Sequence, residues 1–350
     1  MARTIVVSGY GTFVGKRSER LLLRNGGAAR KAKASDGPAT PPLEEEIPLF
    51  RVGEILVPPR GVTISSDLVE EAVARGIPIT FLSSTGQPYA MLTSPMLTAT
   101  TQTRRAQLRA LDNEKGAELA KKLIGAKLRN QASLLVYFAK AEREEPARRA
   151  RVLEAAEEVR KARKLALAVE GKRPDDVRER LLGNEGLGAR AYWNGVKALL
   201  EGKCEFEGRT GRGAVDPVNA LLNYGYGILS SRVWAAVMCA GLDPFAGVLH
   251  TDRPGKPSLV LDLMEEMRAP VVDRAVLAHV RLGEPVRFEG RTLHQETRKR
   301  LADAVLERLE AKVTVRGKRL QLGSVVQRQA RGVAMFLRGE GEFRPFSMTW

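Results

Sequence analysis

The stretch Gly247-Val-Leu-His250-Thr-Asp-Arg-Pro254-Gly255-Lys256-Pro257-Ser-Leu259-Val-Leu-Asp262-Leu-Met-Glu265-Glu266-Met267-Arg268 decides how the chain is read. An apolar run ends at His250, a loop rich in Gly and Pro follows, and Leu259 to Met267 then takes up helical spacing. On a helix, Asp262, Glu265 and Glu266 stand at i, i+3 and i+4 and share one face. Like charges at that spacing repel by about a few tenths of a kcal/mol on an exposed helix. The flanking Leu259, Val260, Leu261, Leu263 and Met264 predict partial burial, where an unpaired carboxylate costs more. A positive group should therefore stand nearby: an Arg, a protonated His or a metal ion. Arg268 is the structural candidate; a divalent cation is the functional one.

The chain has three histidines, His250, His279 and His294. His279 lies in an apolar helical stretch and reads as a packed or half-exposed helix residue. His294 sits in a basic segment, facing solvent or phosphate. His250 begins a loop, where a scaffold commonly presents functional groups. A further acid, Glu185, stands between glycines in Leu181-Leu-Gly-Asn-Glu185-Gly-Leu-Gly-Ala-Arg190-Ala-Tyr192-Trp193. Flanking glycines let a bulky ligand approach closely; the plainer reading is a loop Glu near a helix start, favoured by the helix dipole. Two carboxylates and a neutral imidazole suit Mg²⁺ or Mn²⁺. Such an ion can polarise a phosphodiester and activate a nucleophile.

Around this core the chain divides. Residues 1–95 read as a small β-rich domain with strands near 3–7, 12 onward, 47–56, 62–65, 77–82 and 89–92, and a short helix at 67–75. Within it, Asn25 to Glu46 reads as a mobile loop of small residues, Lys, Pro and three consecutive Glu. Residues 96–350 read as a large all-α domain. Its helices are placed at 107–123, 126–140, 148–169, 189–200, 215–241, 259–267 and 298–312. The expected class is α+β and multidomain. Gly9, Gly11, Gly15 and Lys16 tempt a phosphate-loop reading, but three residues rather than four separate Gly11 from Gly15, and Val14 replaces the third Gly of a dinucleotide fingerprint.

Of 350 residues, 57 are Lys or Arg and 41 Asp or Glu, giving +16. The first 100 residues contribute only +2 (11 basic, 9 acidic), so the field belongs to the C-terminal part. Such an excess favours polyanions, nucleic acid first. Two cysteines, Cys204 and Cys239, exclude a disulfide framework or zinc ribbon. Val233 to Leu242 is half of what a membrane span needs, and the N-terminus has no apolar signal core, so a cytoplasmic protein without membrane association is expected. Residues 291–350 hold 13 basic against 6 acidic residues. There Arg298-Lys299-Arg300 and Arg316-Gly-Lys318-Arg319 are dense enough to track phosphates, with Arg328 and Arg331 extending the surface. Tyr192, Trp193, Tyr224 and Tyr226 could stack on bases, though core packing is the plainer role.

At these residues the sequence resembles the integrase/endonuclease of CRISPR adaptation, the first of the two universal CRISPR-associated proteins. The resemblance rests on Asn184-Glu185-Gly186 with Ala189 to Trp193, on Asp216 to Tyr226, on Gly241 to Pro244 leading to His250, and on Ser258 to Glu265. Lys127 with Asn130-Gln131 and Ile64 to Ser66 are weaker matches. It implies that Glu185, His250 and Glu265 hold Mg²⁺ or Mn²⁺ with Asp262 beside them, and that Arg190 belongs to the DNA-binding set. It implies DNA endonuclease and integrase activity, in which the 3′-hydroxyl of a short foreign fragment attacks a CRISPR repeat-end phosphodiester. It also implies a homodimer, dimerising through the β-rich domain, and a small second adaptation protein as partner. A non-catalytic nucleic-acid scaffold and a metal-dependent RNase are the alternatives.

Overall fold

Short runs of Val, Ile and Leu punctuated by Gly and Pro become strands in the first of two compact units, Met1–Met96 and Leu97–Trp350. The computed structural model describes residues 3–7, 10–25, 44–84, 86–94, 100–211, 216–251, 253–290 and 292–350. The first unit contains β1 (Arg3–Val6), β2 (Thr12–Arg17), β3 (Arg20–Asn25), β4 (Glu44–Pro48), a 3₁₀ turn, β5 (Val52–Val57), β6 (Val62–Ile64), α1 (Ser66–Ala74), β7 (Ile79–Leu82) and β8 (Pro88–Leu92). They form two four-stranded sheets, β1-β5-β7-β8 and β4-β3-β2-β6. Ile5, Val14, Leu21, Ile47, Leu49, Ile55, Leu68 and Ile79 close one apolar core between them.

The three glutamates expected in a mobile loop are strand residues. Glu44, Glu45 and Glu46 pair with Arg24, Leu23 and Leu22 across the β3–β4 ladder. Arg17 reaches Glu46 at 2.9 Å and Glu44 at 3.3 Å, so cross-strand charge pairing selects the register. Asn25 likewise belongs to β3; residues 26–43 of the expected loop lie outside the described residues. Gly15 and Lys16 lie inside β2, and Lys16 is paired with Glu71 of α1, which disposes of a phosphate loop.

The second unit is helical: α2 (Thr100–Ala110), α3 (Glu114–Ala139), α4 (Pro146–Leu167), α5 (Pro174–Leu200), α6 (Pro217–Cys239), α7 (Ser258–Met267), a π turn (Arg268–Asp273) and α8 (Arg274–Arg281). Then come β9 (Phe288–Glu289), β10 (Thr292–Leu293), α9 (Gln295–Glu310), β11 (Lys312–Val315), β12 (Lys318–Gln321) and α10 (Leu322–Arg338). The unit is therefore not wholly helical; β9–β10 and β11–β12 are hairpins. Arg316 and Gly317 form the second turn with φ of 50° and 74°, a pair of left-handed positions that suits a tight hairpin. Helix α10 buries one apolar face, including Leu322, Val325, Val326, Val333 and Leu337, and was absent from the sequence expectation.

Two expected breaks do not occur. Helix α3 runs through Gly125, where a Cβ would come within 2.9 Å of Leu167 Cδ2; the glycine admits α4 rather than ending the helix. Helix α5 starts at Pro174 and carries Glu185 in mid-helix, not in a loop. Helices α3, α4 and α5 pack pairwise, and α6 packs against α7, α8, α9 and α10. Helix α6 is apolar nearly all round, as a central buried helix must be. Asp216 caps it by accepting from Asn219 N at 2.9 Å. Pro270 explains the π turn after α7, since its missing N–H and its ring break the regular ladder.

Glycines in this unit divide by what surrounds them. A Cβ at Gly116 would lie 1.9 Å from the Ala110 carbonyl oxygen, whereas one at Gly186 would meet nothing within 4 Å. Gly116→Ala is expected to destabilise by about 3 kcal/mol through overpacking. Gly186→Ala is expected to stabilise by about 0.5–1 kcal/mol through helix propensity. Urea unfolding followed by circular dichroism checks both.

Candidate active site

Asp262 is completely buried and has four hydrogen-bond donors around it. Its Oδ2 accepts from Val248 N at 2.7 Å and Leu249 N at 3.0 Å; its Oδ1 accepts from His250 N at 3.0 Å. His250 Nδ1 lies 2.7 Å from the same Oδ1. A carboxylate in this position calls for the proton on Nδ1 and leaves the lone pair on Nε2. Asp262, on α7, thus holds the loop and orients the imidazole. Gly247 makes the approach feasible, because a Cβ there would stand 2.8 Å from Asp262 Oδ2 and 2.7 Å from Ser258. Asp262 was expected beside the metal ligands. It stands against one of them, His250, and its acceptors are occupied by three backbone amides and that imidazole, so its part is to orient the ring.

The three acids of α7 do not act together on one face. Glu265 turns to Lys127 of α3 and to Arg268. Glu266 turns to the C-terminal segment, where its Oε2 accepts from Phe346 N at 2.7 Å. Lys127 Nζ stands 2.6 Å from Glu265 Oε2 and 2.6 Å from Glu185 Oε1, so one ammonium joins carboxylates from α5 and α7. Arg268 Nε lies 3.3 Å from Glu265 Oε2, which makes the structural counter-charge foreseen in the sequence real. Burial opposes ionisation of Glu265, but Arg268 and Lys127 outweigh it and hold its pKa down at about 2. Burial likewise works against the Lys127 ammonium, yet Glu265 and Glu185 raise its pKa.

Behind this cluster sits a polar brace. The Arg268 guanidinium lies 4.6 Å from the Tyr226 ring centroid. Buried Asp273 accepts from Tyr192 at 2.8 Å and Tyr226 at 2.5 Å. Tyr192 and Tyr226 are therefore core residues joining α5 and α6 to the π turn, not base-stacking platforms. Sequence reasoning missed Asp273 and Gly247; only the turn beside Pro270 and the closeness of Gly247 to His250 hinted at them.

Among the described residues, no three His, Cys, Asp or Glu groups converge closely enough to hold an ion as they stand. Glu185 and Glu265 converge on an ammonium instead, and that ammonium marks a point where positive charge is wanted. Two carboxylates and an imidazole nitrogen presented by Nε2 match the oxygen-rich donor set of Mg²⁺ or Mn²⁺. The donor chemistry fits, provided Lys127 withdraws.

The basic residues fall on three helices and one hairpin. Arg190 is exposed on α5, one and a half turns beyond Glu185. Arg298, Lys299 and Arg300 lie on α9, where Arg300 pairs with Glu296 at 2.6 Å and Glu284 at 3.2 Å. Arg316, Lys318 and Arg319 are exposed on the β11–β12 hairpin, and Arg328 and Arg331 are exposed on α10. His294 caps α9, its Nδ1 accepting from Glu296 N at 3.3 Å, and His279 is buried in α8, where burial lowers its pKa.

Glu266 has the opposite electrostatics to its neighbour. Burial raises its pKa to about 8. A folded-state pKa above the unfolded value makes a contribution that is complete below the unfolded pKa and is lost as pH rises through the folded one. Wild type should therefore lose stability between about pH 4.5 and 8, by at most about 1.4 kcal/mol per pH unit. Glu266→Gln keeps the acceptor for Phe346 N and removes the titration. Its melting temperature should exceed that of wild type by a margin that widens from pH 5 to pH 8, measured by differential scanning calorimetry.

Comparison with known proteins identifies the family. The family described as "CRISPR associated protein Cas1" matches residues 5–307. A CRISPR-associated endonuclease Cas1 from Archaeoglobus fulgidus is 35% identical over 360 residues, covering 99% of each chain. Another from Francisella tularensis subsp. novicida is 34% identical over 346 residues, again covering 99% of each. Among solved structures, a casposase bound to integration product superposes with a TM-score of 0.79 at 23% identity, covering 97% of this chain and 92% of that one. A Cas1 protein from Thermotoga maritima superposes with a TM-score of 0.73 at 19% identity, covering 97% and 98%. A match over most of the length, on a fold with a β-rich first unit and a helical second, carries one conclusion: the chain belongs to the CRISPR-associated Cas1 family.

Proposed function

We propose that this protein is a divalent-cation-dependent DNA endonuclease and integrase of CRISPR spacer acquisition. The observation that carries the reading is the convergence of Glu185 and Glu265 on a single cationic point, with Asp262 orienting His250 at the adjoining loop. Relatives at 34–35% identity bear the name endonuclease, and a similar fold has been seen with an integration product. Glu185, His250 and Glu265 would hold Mg²⁺ or Mn²⁺. When bound, such an ion supplies Lewis-acid stabilisation of charge on the phosphate and on the leaving oxygen.

The residues of the chain do the positioning. Asp262 keeps the Nδ1 proton in place, so His250 presents a neutral nitrogen. Arg268 and its Tyr226 brace keep Glu265 ionised in a buried position. In the reaction, the 3′-hydroxyl oxygen of the fragment bonds to phosphorus, and the phosphodiester bond to the repeat strand's 3′-oxygen breaks. The hydroxyl proton passes to solvent and the departing oxygen takes one up. One phosphodiester replaces another, so no nucleotide cofactor is required. Exposed Arg190, the α9 cluster of Arg298, Lys299 and Arg300, and the hairpin residues Arg316, Lys318 and Arg319 would contact DNA phosphates. A second copy of this chain, paired through the β-rich unit, and a small second adaptation protein complete the assembly; one neighbouring fold occurs in a Cas6-RT-Cas1–Cas2 complex. Among the described residues no helix is long and apolar enough to cross a membrane, and a cytoplasmic location is part of the reading.

Lys127 favours one other reading, since it already neutralises both carboxylates: a DNA-binding scaffold whose acids form only an ion-pair network. Wild type, Glu185→Gln, His250→Ala and Glu265→Gln should be assayed on branched DNA, 3′-overhang fragments with a repeat-bearing plasmid, and RNA of matched sequence. The assays need EDTA, Mg²⁺ or Mn²⁺, with the small partner present. Expected is cation-dependent cutting and joining of DNA that falls by about a hundredfold or more in each variant, with DNA affinity within about twofold of wild type. No reaction by any of the four, with equal DNA binding, favours the scaffold; equal turnover of RNA favours a general nuclease.

A further inference from the structure

The extended segment after α10 is held by polar contacts to buried atoms. Lys122 Nζ donates to the Phe343 carbonyl at 2.8 Å. Asn130 Nδ2 donates to the Phe346 carbonyl at 3.1 Å, and its Oδ1 accepts from Met348 N at 2.9 Å. The Trp350 ring stacks against Tyr137 with centroids 4.8 Å apart, and the Arg274 and Arg308 guanidiniums lie 5.2 and 5.5 Å from it. Lys122, Asn130 and Tyr137 follow one another along α3, and Phe343, Phe346–Met348 and Trp350 meet them in the same order. From Lys122 to Tyr137 a helix rises about 22 Å. From Phe343 to Trp350 an extended strand reaches about 23 Å. The segment therefore lies nearly fully extended and parallel to α3.

The same segment also grips α7. Phe346 N donates to Glu266 Oε2 at 2.7 Å. Asn130 Nδ2 further donates to the Glu266 carbonyl at 2.8 Å. That carbonyl lies four residues before Pro270, which has no N–H to offer it. Asn130 and Glu266 are both completely buried, so neither can exchange these partners for water without opening the packing. Asn130 stands three residues after Lys127 on α3, and Glu266 is next to Glu265 on α7. The Asn130 amide thus bonds α7 through the Glu266 backbone carbonyl, and residues 346–348 bond both that amide and the Glu266 carboxyl, at the level of the Lys127–Glu265 ion pair.

We propose that residues 343–350 are a tether that fixes α3 against α7 and thereby sets where Glu265 stands relative to Lys127 and Glu185. Asn130 and Glu266 are its anchor points and act as positioning residues for the cation site. The inference rests on the proposed function where it concerns the cation; the joining of the helices stands without it.

Two variants cut the tether to different degrees. Asn130→Ala removes all three amide contacts. Met348→Pro removes the N–H given to Asn130 Oδ1, together with the buried Met348 side chain, and changes no residue of α3 or α7. Val159→Ala is the control, a fully buried α4 residue whose truncation loosens the same unit away from the tether. Two readouts are needed on the intact protein: hydrogen exchange of the α7 amides without metal, and Mn²⁺ titration followed by electron paramagnetic resonance.

Both tether variants should speed exchange across Ser258–Met267 and leave α5 unchanged. Mn²⁺ binding should weaken by about tenfold or more in Asn130→Ala and by less in Met348→Pro. The control should lower the melting temperature without either effect. Unchanged α7 exchange in both tether variants, or equal acceleration in Val159→Ala, overturns the proposal. A wild type that binds no Mn²⁺ removes the cation from the proposed function, and the exchange result then decides the tether alone.

Discussion

One ammonium between two carboxylates holds the second unit's chemistry together. Glu185 on α5 and Glu265 on α7 would repel each other at the distance the helix packing imposes, in surroundings that strengthen the repulsion. Lys127 on α3 turns that repulsion into attraction on both sides, at 2.6 Å each. Three helices distant in sequence therefore converge on one charge-balanced point. The arrangement is self-consistent only while something cationic occupies it, and the proposed function asks a divalent ion to take the place of the lysine. Removal of one member of such a group leaves a buried charge without a partner, which is far more costly than never having assembled it.

Around that point, every ionised group is stabilised by a neighbour with a different task. Arg268 neutralises Glu265 and stacks on Tyr226; Tyr226 and Tyr192 converge on Asp273. Asp262 serves a separate purpose. Its four acceptor contacts gather the 248–250 backbone and the imidazole, so loop and helix come as one piece. Glu265 and Glu266, adjacent in sequence, end up with opposite electrostatics: one stays ionised against burial because two cations face it, the other is pushed towards neutrality because only a peptide N–H does. Neighbouring residues on a helix point about 100° apart, and that angle alone delivers them to different environments.

Much of this was legible from residue types. The acidic face of residues 262–266 implied a counter-charge, and Arg268 supplies one. The β-rich and helical parts followed from hydrophobic spacing, with most strand ends within a few residues. Glycine misled the reading in two ways. Gly125 and Gly186 looked like helix breaks, yet in α3 the glycine admits Leu167, and in α5 a long helix simply tolerates open glycines at a cost of about 1 kcal/mol each. Three consecutive glutamates looked like a loop because the arginines opposite them, Arg17, Arg20 and Arg24, face them only once the sheet has formed. The hold of Asp262 on His250 was not legible, because spacing shows which face a side chain occupies, not which donors reach it from a loop. The tether was invisible for the same reason: Asn130 and Phe346 are 216 residues apart.

The central claim, that Lys127 stands where a divalent ion belongs, is tested most directly by a crystal structure of the protein equilibrated with Mn²⁺, with anomalous diffraction at the manganese edge. The account predicts one anomalous peak bounded by Glu185, Glu265 and His250 Nε2, with the Lys127 side chain withdrawn and Asp262 still holding Nδ1. No peak there at saturating Mn²⁺, with Lys127 still bridging both carboxylates, would contradict it.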